Sequence, residues 1–307
     1  MASTALPPNS PSKPHRLALL ALLLLALIWG YNWVVMKIAV RDSPPFDFAA
    51  LRDLLGSLSL FLLMVVLRKP LRPQALWGTA LFGLLQSGAS IGFLTWALVQ
   101  GGAGKTAILT YTMAFWTLLF AWIFLGERLR GRQWFGVGLA LVGLLFILMP
   151  FNLTSGLFSK GLAVLAGVFW AMASIVAKKV NQAHSQSLDL LSFTAWQMLF
   201  GSIPLTIVSL LLPDPPIHWS GSFIAALLYN VIPSSAIAWL LWLYALKHLP
   251  AGLAGIGSLI TPIVGTLAAS LQLGEVPRLT EILGMVMILL ALALTTLQIK
   301  LKPLKIS

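Results

Sequence analysis

The chain has 307 residues, no cysteine and a net charge of +12, with 59% hydrophobic and only 9% charged residues. A soluble domain carries about 25% charged residues, so this composition is typical of a membrane protein with several spans. The missing cysteine excludes disulfides, iron–sulfur clusters and thiol catalysis. The basic residues lie singly or in short groups between apolar runs, which excludes a nucleic-acid-binding stripe and indicates basic loops beside a lipid bilayer.

Ten apolar runs follow one another along the chain, separated by Pro, Gly and charged residues. A backbone embedded in lipid must satisfy its own hydrogen bonds, so runs of this length are predicted to be helices. Residues 1–15 are rich in Pro and Ser and are predicted to form a disordered cytoplasmic tail. The predicted membrane-spanning helices cover roughly residues 17–40, 46–67, 75–99, 103–125, 133–150, 160–180, 188–212, 221–246, 252–273 and 279–299.

The two halves of the chain repeat the same pattern. Trp29 is followed eight residues later by Lys37, and Trp170 is followed at the same spacing by Lys178. Each half holds five helices, and because five is odd the second half must cross the membrane inverted. The predicted fold is therefore an all-α membrane protein of ten transmembrane helices in two inverted five-helix repeats. The predicted divisions are a tail over 1–15, the first repeat over 16–152, the second over 157–299, and a basic cytoplasmic tail over 300–307.

The distribution of Lys and Arg predicts the orientation. Fourteen basic residues fall in the two tails and in the loops on their side, and four fall on the opposite side. Basic loops stay in the cytoplasm, so both termini are predicted to be cytoplasmic.

Several short motifs occur in a fixed order along the ten runs. They are Trp29-Gly30, Pro44-Pro45 followed by Ala50-Leu51-Arg52, Leu125-Gly126-Glu127-Arg128, Trp242-Leu243-Tyr244-Ala245-Leu246 leading to Leu249-Pro250-Ala251, and Leu273-Gly274-Glu275. Together they resemble the EamA-type transporters of the drug/metabolite transporter superfamily over about residues 17–299. The Trp-rich helices are most similar to the YddG-type amino-acid exporters within it. Two motifs depart from the pattern, because Trp170 is not followed by Gly and Glu275 is not followed by Arg.

The resemblance implies a bacterial-type inner-membrane carrier that exports amino acids or other small metabolites. It implies no cofactor, no bound metal and no enzymatic activity. The sequence favours a monomer and leaves a dimer open. Two other classes, a membrane-embedded enzyme and a channel, would need converging catalytic groups or a continuous polar pore face, and neither pattern is found.

Nine side chains near the middle of their helices are candidates for a substrate site between the halves. Trp29 and Trp170 lie far from the interfaces where membrane Trp is usually found, so they line a cavity or pack helices. A mid-membrane amide such as Asn32 needs a partner, either another helix or a substrate. The candidate substrate-binding residues are Trp29, Asn32, Gln86, Ser90, Phe93, Tyr111, Trp170, Trp239 and Ser258.

The candidate residues carry no formal charge, which disfavours a net anion or cation and favours a zwitterion with an apolar side chain. The predicted substrates are therefore neutral amino acids, aromatic and large aliphatic ones included, with another small metabolite or drug class as the alternative. Lys37 and Lys178 are interpreted as snorkelling to an interface, or as gate or carboxylate contacts. Arg52 and Asp53 are interpreted as structural. No acidic residue is expected at the centre of a helix, so transport down the substrate gradient is predicted.

Overall fold

A computed structural model describes residues 13–128, 131, 133–148, 157–184, 187–274 and 278–297. Most of the predicted N-terminal tail, the predicted C-terminal tail and Glu275 lie outside these described residues. Ten helices are formed within them, and the predicted all-α class is confirmed. They are α1 (Lys13–Asp42), α2 (Pro45–Val66), α3 (Leu76–Gln100), α4 (Ala103–Thr110 and Met113–Leu125), α5 (Gln133–Leu148), α6 (Leu157–Ala183), α7 (Leu190–Leu211), α8 (Gly221–His248), α9 (Ala251–Gly257 and Ile260–Leu273) and α10 (Leu279–Leu297).

Eight of these helices are long and apolar enough, within the described residues, to cross a membrane. Helix α5 adds a shorter apolar stretch, Trp134–Gly143, and packs along α10. Three other helix pairs with extensive contact also join the two halves: α1 with α9, α4 with α6, and α2 with α7. In both α1 with α9 and α6 with α4, the first helix of one repeat packs against the fourth helix of the other. The halves therefore interlock around a pseudo-twofold axis.

Local sequence signals set several helix ends. Asp189 caps α7 by accepting hydrogen bonds from the N–H groups of Leu191 and Ser192, and its carboxylate also pairs with Lys69. Gly126 and Gly274 follow α4 and α9 in the left-handed region, with φ of 67° and 69°. Glycine reaches that region without steric penalty, so the two Leu-Gly-Glu motifs include the C-terminal caps of equivalent helices.

The third and fourth helices of each half are irregular at matching places. Helix α3 contains a π-helical segment over Leu84–Ile91, and α8 contains one over Asn230–Ile237. Helix α4 is broken after Thr110, and α9 is broken after Gly257. Irregular backbone inside a membrane protein is found where it is buried or lines a cavity, so these four places point to the centre of the bundle.

A proline lies at the irregular place of α8 and another at that of α9. Pro233 lies inside the π-helical segment of α8, as a kink would require. Pro262 is instead the third residue of the helix that begins at Ile260, so the N–H it lacks is one that the first turn leaves unpaired. The break in α9 lies at Ser258, four residues before Pro262, and the Ser258 carbonyl oxygen would otherwise accept the N–H that the proline lacks.

Gly201 of α7 permits a close approach to α3. A Cβ atom on Gly201 would lie 2.2 Å from the Ser87 Cβ and 2.5 Å from the Gly83 carbonyl oxygen. We expect Gly201→Ala to lower the free energy of unfolding by about 1–3 kcal/mol, because the backbone of α3 must move. The melting temperature in detergent, followed by tryptophan fluorescence, measures this. Gly161→Ala on α6 is the matched control, since no atom lies within 4 Å of its added Cβ; equal melting temperatures for the two variants would contradict the expectation.

Candidate functional site

Four tryptophan rings from both halves meet at the centre of the bundle. Trp29 of α1 lies 5.2 Å from Trp170 of α6 and 4.9 Å from Trp239 of α8, measured between ring centroids. Trp242, one turn further along α8, lies 6.0 Å from Trp29 and 6.3 Å from Trp170. All four are buried, and Trp170 is the middle residue of the 27-residue α6. We call Trp29, Trp170, Trp239 and Trp242 the tryptophan cluster.

Aromatic rings from the irregular helices surround the tryptophan cluster. Tyr111, at the break in α4, lies 5.8 Å from Trp170, and Trp33 lies 6.2 Å from Tyr111 on its other side. Phe82 of α3 lies 6.5 Å from Trp239 and stacks on Phe193 of α7. Side chains from α1, α3, α4, α6, α7 and α8 therefore build one aromatic centre. Edge-to-face contacts of this kind contribute about 0.5–1.5 kcal/mol each beyond burial.

Polar groups in this centre are only partly paired. The indole N–H of Trp29 donates to the carbonyl oxygen of Ser234 in the π-helical segment of α8, at 2.9 Å. The indole N–H groups of Trp170, Trp239 and Trp242 have no hydrogen-bond partner among the described residues. The tryptophan cluster thus holds three buried donors that the described protein groups leave unpaired.

Two predicted amides are also buried. Gln86 lies in the π-helical segment of α3 with no exposed surface, and neither its amide nitrogen nor its oxygen has a partner in the described part of the chain. The Asn32 side-chain oxygen is likewise buried and unpaired there. These oxygens are acceptors within the same helices that carry the ring contacts.

The remaining predicted residues have local roles. Ser90 donates to the carbonyl oxygen of Ala166 at 2.9 Å, which joins α3 to α6. Phe93 lies 5.6 Å from Phe169, between the same two helices. Ser258 marks the break in α9, where its hydroxyl donates to Gly255 at 2.7 Å. The structure therefore brings Trp29, Tyr111, Trp170 and Trp239 into ring contact, and it places Ser90, Phe93 and Ser258 in helix packing.

Lys37 of the first repeat and Lys178 of the second make equivalent contacts. The Lys37 ammonium donates to the carbonyl oxygens of Leu98 and Gly101, where α3 ends, at 2.8 and 2.9 Å. The Lys178 ammonium donates to those of Leu246 and Leu249, where α8 ends, at 2.6 Å each. Cations stabilise the carbonyl end of a helix, so both lysines cap the third helix of their own repeat. This pairing differs from the two interpretations drawn from the sequence.

The first repeat also contacts the second where α9 begins. The two carboxylate oxygens of Glu127 accept hydrogen bonds from the N–H groups of Ala251 and Gly252, at 3.2 and 3.3 Å. Beside this contact, a cavity of about 850 Å³ lies between α4, α5 and α9. Its lining includes Phe115, Leu118, Trp122, Trp134 and Gly252, and it contains none of the nine predicted site residues. It is lined mainly by apolar side chains and lies away from the tryptophan cluster.

Two features of the site were missed by sequence reasoning. Trp242 belongs to the tryptophan cluster, and its spacing of three residues from Trp239, on the same helical face, was the available signal. A buried polar network beside the cluster was also missed. In it, Arg52 of α2 donates to the Ser235 hydroxyl of α8 at 3.2 Å, and Ser87 of α3 donates to the Gln197 side-chain oxygen of α7 at 3.4 Å.

Several known proteins described as transporters or as an efflux pump are similar to this chain. It is 28% identical over 284 residues to the uncharacterized transporter YoaV of Bacillus subtilis (strain 168), covering 91% of this chain and 96% of YoaV. It is 30% identical over 282 residues to a probable amino-acid metabolite efflux pump of Escherichia coli (strain K12), covering 88% and 91%. It is 28% identical over 283 residues to the uncharacterized inner membrane transporter YedA of the same strain, covering 90% of each.

A solved crystal structure has the same fold, with a TM-score of 0.74 over 92% of this chain and 96% of that one, at 19% identity. The model of the EamA-like transporter family matches residues 16–149 and again 158–297, one match in each half. With two interlocked helical halves and a family match across both, this chain is a membrane transporter that belongs to the EamA-like transporter family.

Proposed function

We propose that this transporter exports neutral amino acids, aromatic and large aliphatic ones included, and binds them at the tryptophan cluster. The observation that carries the proposal is a set of buried polar groups without a partner among the described residues. They are three indole N–H donors in the cluster, the amide of Gln86 on α3 and the side-chain oxygen of Asn32 on α1. A buried polar group without a partner costs about 1–3 kcal/mol. A substrate that supplies the partners would recover that free energy on binding.

A zwitterion fits these groups better than a net ion does. The indole N–H donors of Trp170, Trp239 and Trp242 suit a carboxylate, and the side-chain oxygens of Gln86 and Asn32 suit an ammonium group. The faces of the tryptophan rings add cation–π attraction for the ammonium and contact for an apolar side chain. A doubly charged metabolite would lack a counter-charge among the cluster residues.

The same site would serve both sides of the membrane by alternating access. Trp29 and Trp170 occupy equivalent positions in the two repeats, so rocking of one half against the other would expose the cluster first to one side and then to the other. One chain contains both repeats, so a monomer would suffice as the transport unit, with a dimer left open. Export as the direction is supported by the E. coli relative described as a probable amino-acid metabolite efflux pump.

Counterflow in proteoliposomes tests the proposal. Vesicles loaded with unlabelled L-leucine should take up labelled L-phenylalanine transiently, and external neutral aromatic or large aliphatic amino acids should compete. Glutamate, lysine and a sugar phosphate should not compete. Competition by charged metabolites alone would contradict the assignment, and competition by a lipophilic drug in place of the amino acids would support the alternative substrate class.

We also propose that the protein lies in the inner membrane with both termini in the cytoplasm. The chain has no cysteine, so single cysteines can report the topology. We expect Asp214→Cys, in the loop between α7 and α8, to react with a membrane-impermeant maleimide in intact cells. Arg72→Cys, in the loop between α2 and α3, should react only after lysis; both positions are exposed. The reverse pattern would contradict this orientation.

A further inference from the structure

Asp53 is a carboxylate buried near the middle of a membrane helix. It is the ninth residue of the 22-residue α2, within three residues of the helix midpoint, and it has no exposed surface. The sequence-based expectation that no acidic residue is central is therefore wrong for Asp53. An ionisable group at this depth is costly and is typical of residues with a functional role.

The carboxylate of Asp53 is poorly paired for such a site. The Arg52 Nε lies 3.5 Å from one carboxylate oxygen, and neither oxygen accepts a hydrogen bond of normal geometry from a described residue. Adjacent residues on a helix do not face each other, so Arg52 cannot form a close two-bond pair with Asp53. Its guanidinium turns instead to the Met36 sulfur at 3.3 Å and to Ser235 at 3.2 Å.

The neighbouring helices offer Asp53 no second charge. Among the described residues of α1, α3, α7 and α8 that surround α2, the charged group acting on Asp53 is Arg52, and the polar neighbour is the uncharged Ser87 hydroxyl. An ionised carboxylate with one distant counter-charge pays a large desolvation penalty. A proton on that carboxylate removes the carboxylate's own share of the penalty, and the neutral acid can donate a hydrogen bond. Among the described residues, the Arg52 cation then keeps only its contacts with Met36 and Ser235.

Two hydrogen bonds connect this pair to the tryptophan cluster. Arg52 binds the hydroxyl of Ser235, and the adjacent Ser234 holds the indole N–H of Trp29 through its carbonyl oxygen. Both serines lie in the π-helical segment of α8. Protonation of Asp53 would remove the attraction on Arg52 and let the guanidinium shift, and that shift would reach Trp29 through this segment.

The second repeat holds uncharged residues at the matching place. With Gly56 aligned to Gly201, Arg52 corresponds to Gln197 and Asp53 to Met198. Helix packing at this position is thus achieved without charge in one repeat. We propose that Asp53 binds a coupling proton, and that the carrier exchanges one proton for each amino acid. The inference rests on the proposed function for its substrate, and it replaces transport down the substrate gradient with proton-driven export.

A pH gradient across proteoliposomes tests the proposal. With an acidic interior, wild-type protein should accumulate labelled L-leucine above its external concentration, and a protonophore should abolish the accumulation. Asp53→Asn should lose accumulation but keep measurable leucine counterflow, because exchange of substrate for substrate needs no proton release. Asp47→Asn, in the first turn of the same helix, is the matched control and should retain both activities.

Removing only Asp53 leaves Arg52 buried without a counter-charge, so the variant Arg52→Gln/Asp53→Asn supplies a folded alternative. It should also show counterflow without accumulation. Wild-type counterflow with no accumulation under either gradient direction would overturn the proton proposal and leave the proposed function intact. Accumulation retained by both Asp53 variants would likewise overturn it. Absence of amino-acid counterflow in the wild type would remove the proposed function and this inference together.

Discussion

Replacing Trp29 with Ala is expected to reduce amino-acid transport by about two orders of magnitude. The change removes ring contacts to Trp170, Trp239 and Trp242 and the hydrogen bond to Ser234. Those contacts hold the cluster in place, and with them goes the ring face that the substrate would contact, a loss of about 3 kcal/mol in binding free energy. Each 1.4 kcal/mol corresponds to about a tenfold change, and the counterflow rate measures it.

Conservative variants separate the ring from its N–H group. Trp29→Phe keeps an aromatic ring but loses the bond to Ser234 and part of the ring contact area, so we expect a decrease of about fivefold. Trp170→Phe removes an N–H that has no partner among the described residues, so a rise in KM with an unchanged melting temperature indicates a contact with substrate. Trp134→Ala is the control, because Trp134 is 63% exposed and lies away from the cluster. A folded Trp29→Ala protein that transports at the wild-type rate would contradict the account.

Replacing Lys178 with Met is expected to lower the free energy of unfolding by about 3 kcal/mol. The substitution keeps an apolar stem of similar length but removes the donor for the carbonyl oxygens of Leu246 and Leu249. Hydrogen bonds to a charged group contribute about 1.5–3 kcal/mol each, and Leu246 and Leu249 are buried, so the substitution leaves two buried carbonyl oxygens without this donor. Thermal unfolding in detergent, followed by tryptophan fluorescence, measures the loss.

The next residue provides the control for Lys178. Lys179 is exposed, and its ammonium lies 5.5 Å above the ring of Phe124. Such a contact contributes about 0.5–1 kcal/mol at an exposed site, so Lys179→Met should change the melting temperature little. If the two lysine variants melted together, the capping role of Lys178 would be refuted.

Periodicity and repetition were enough to predict the class of fold. Long apolar runs can form only helices in lipid, and the Trp29/Lys37 pattern returning at Trp170/Lys178 revealed the duplication. The inversion of an odd number of helices led to the expectation that Trp29 and Trp170 share a central region, and their rings lie in contact. The helices, the duplication and the central place of the two tryptophans all follow from patterns that can be seen along the sequence.

Features that depend on distant partners were not predictable. Lys178 was expected to reach an interface or to serve as a gate or carboxylate contact, but its partners at the C-terminal end of α8 come within reach only after the helices pack. Ser90 looked like a group facing a cavity, yet its partner is a carbonyl oxygen of α6. Arg52 and Asp53 were interpreted as structural, although the helix keeps the two side chains from a close contact. In each case the packing of a second helix decides the role.

Binding of labelled L-phenylalanine to the purified protein tests the central claim most directly, because it reports on the tryptophan cluster without the complications of transport. A scintillation proximity assay in detergent should show saturable binding at one site per chain, displaced by L-leucine but not by L-glutamate. Binding should be lost in folded Trp29→Ala and Trp170→Ala proteins and retained in Trp134→Ala. Equal binding by the wild type and both cluster variants would contradict the account.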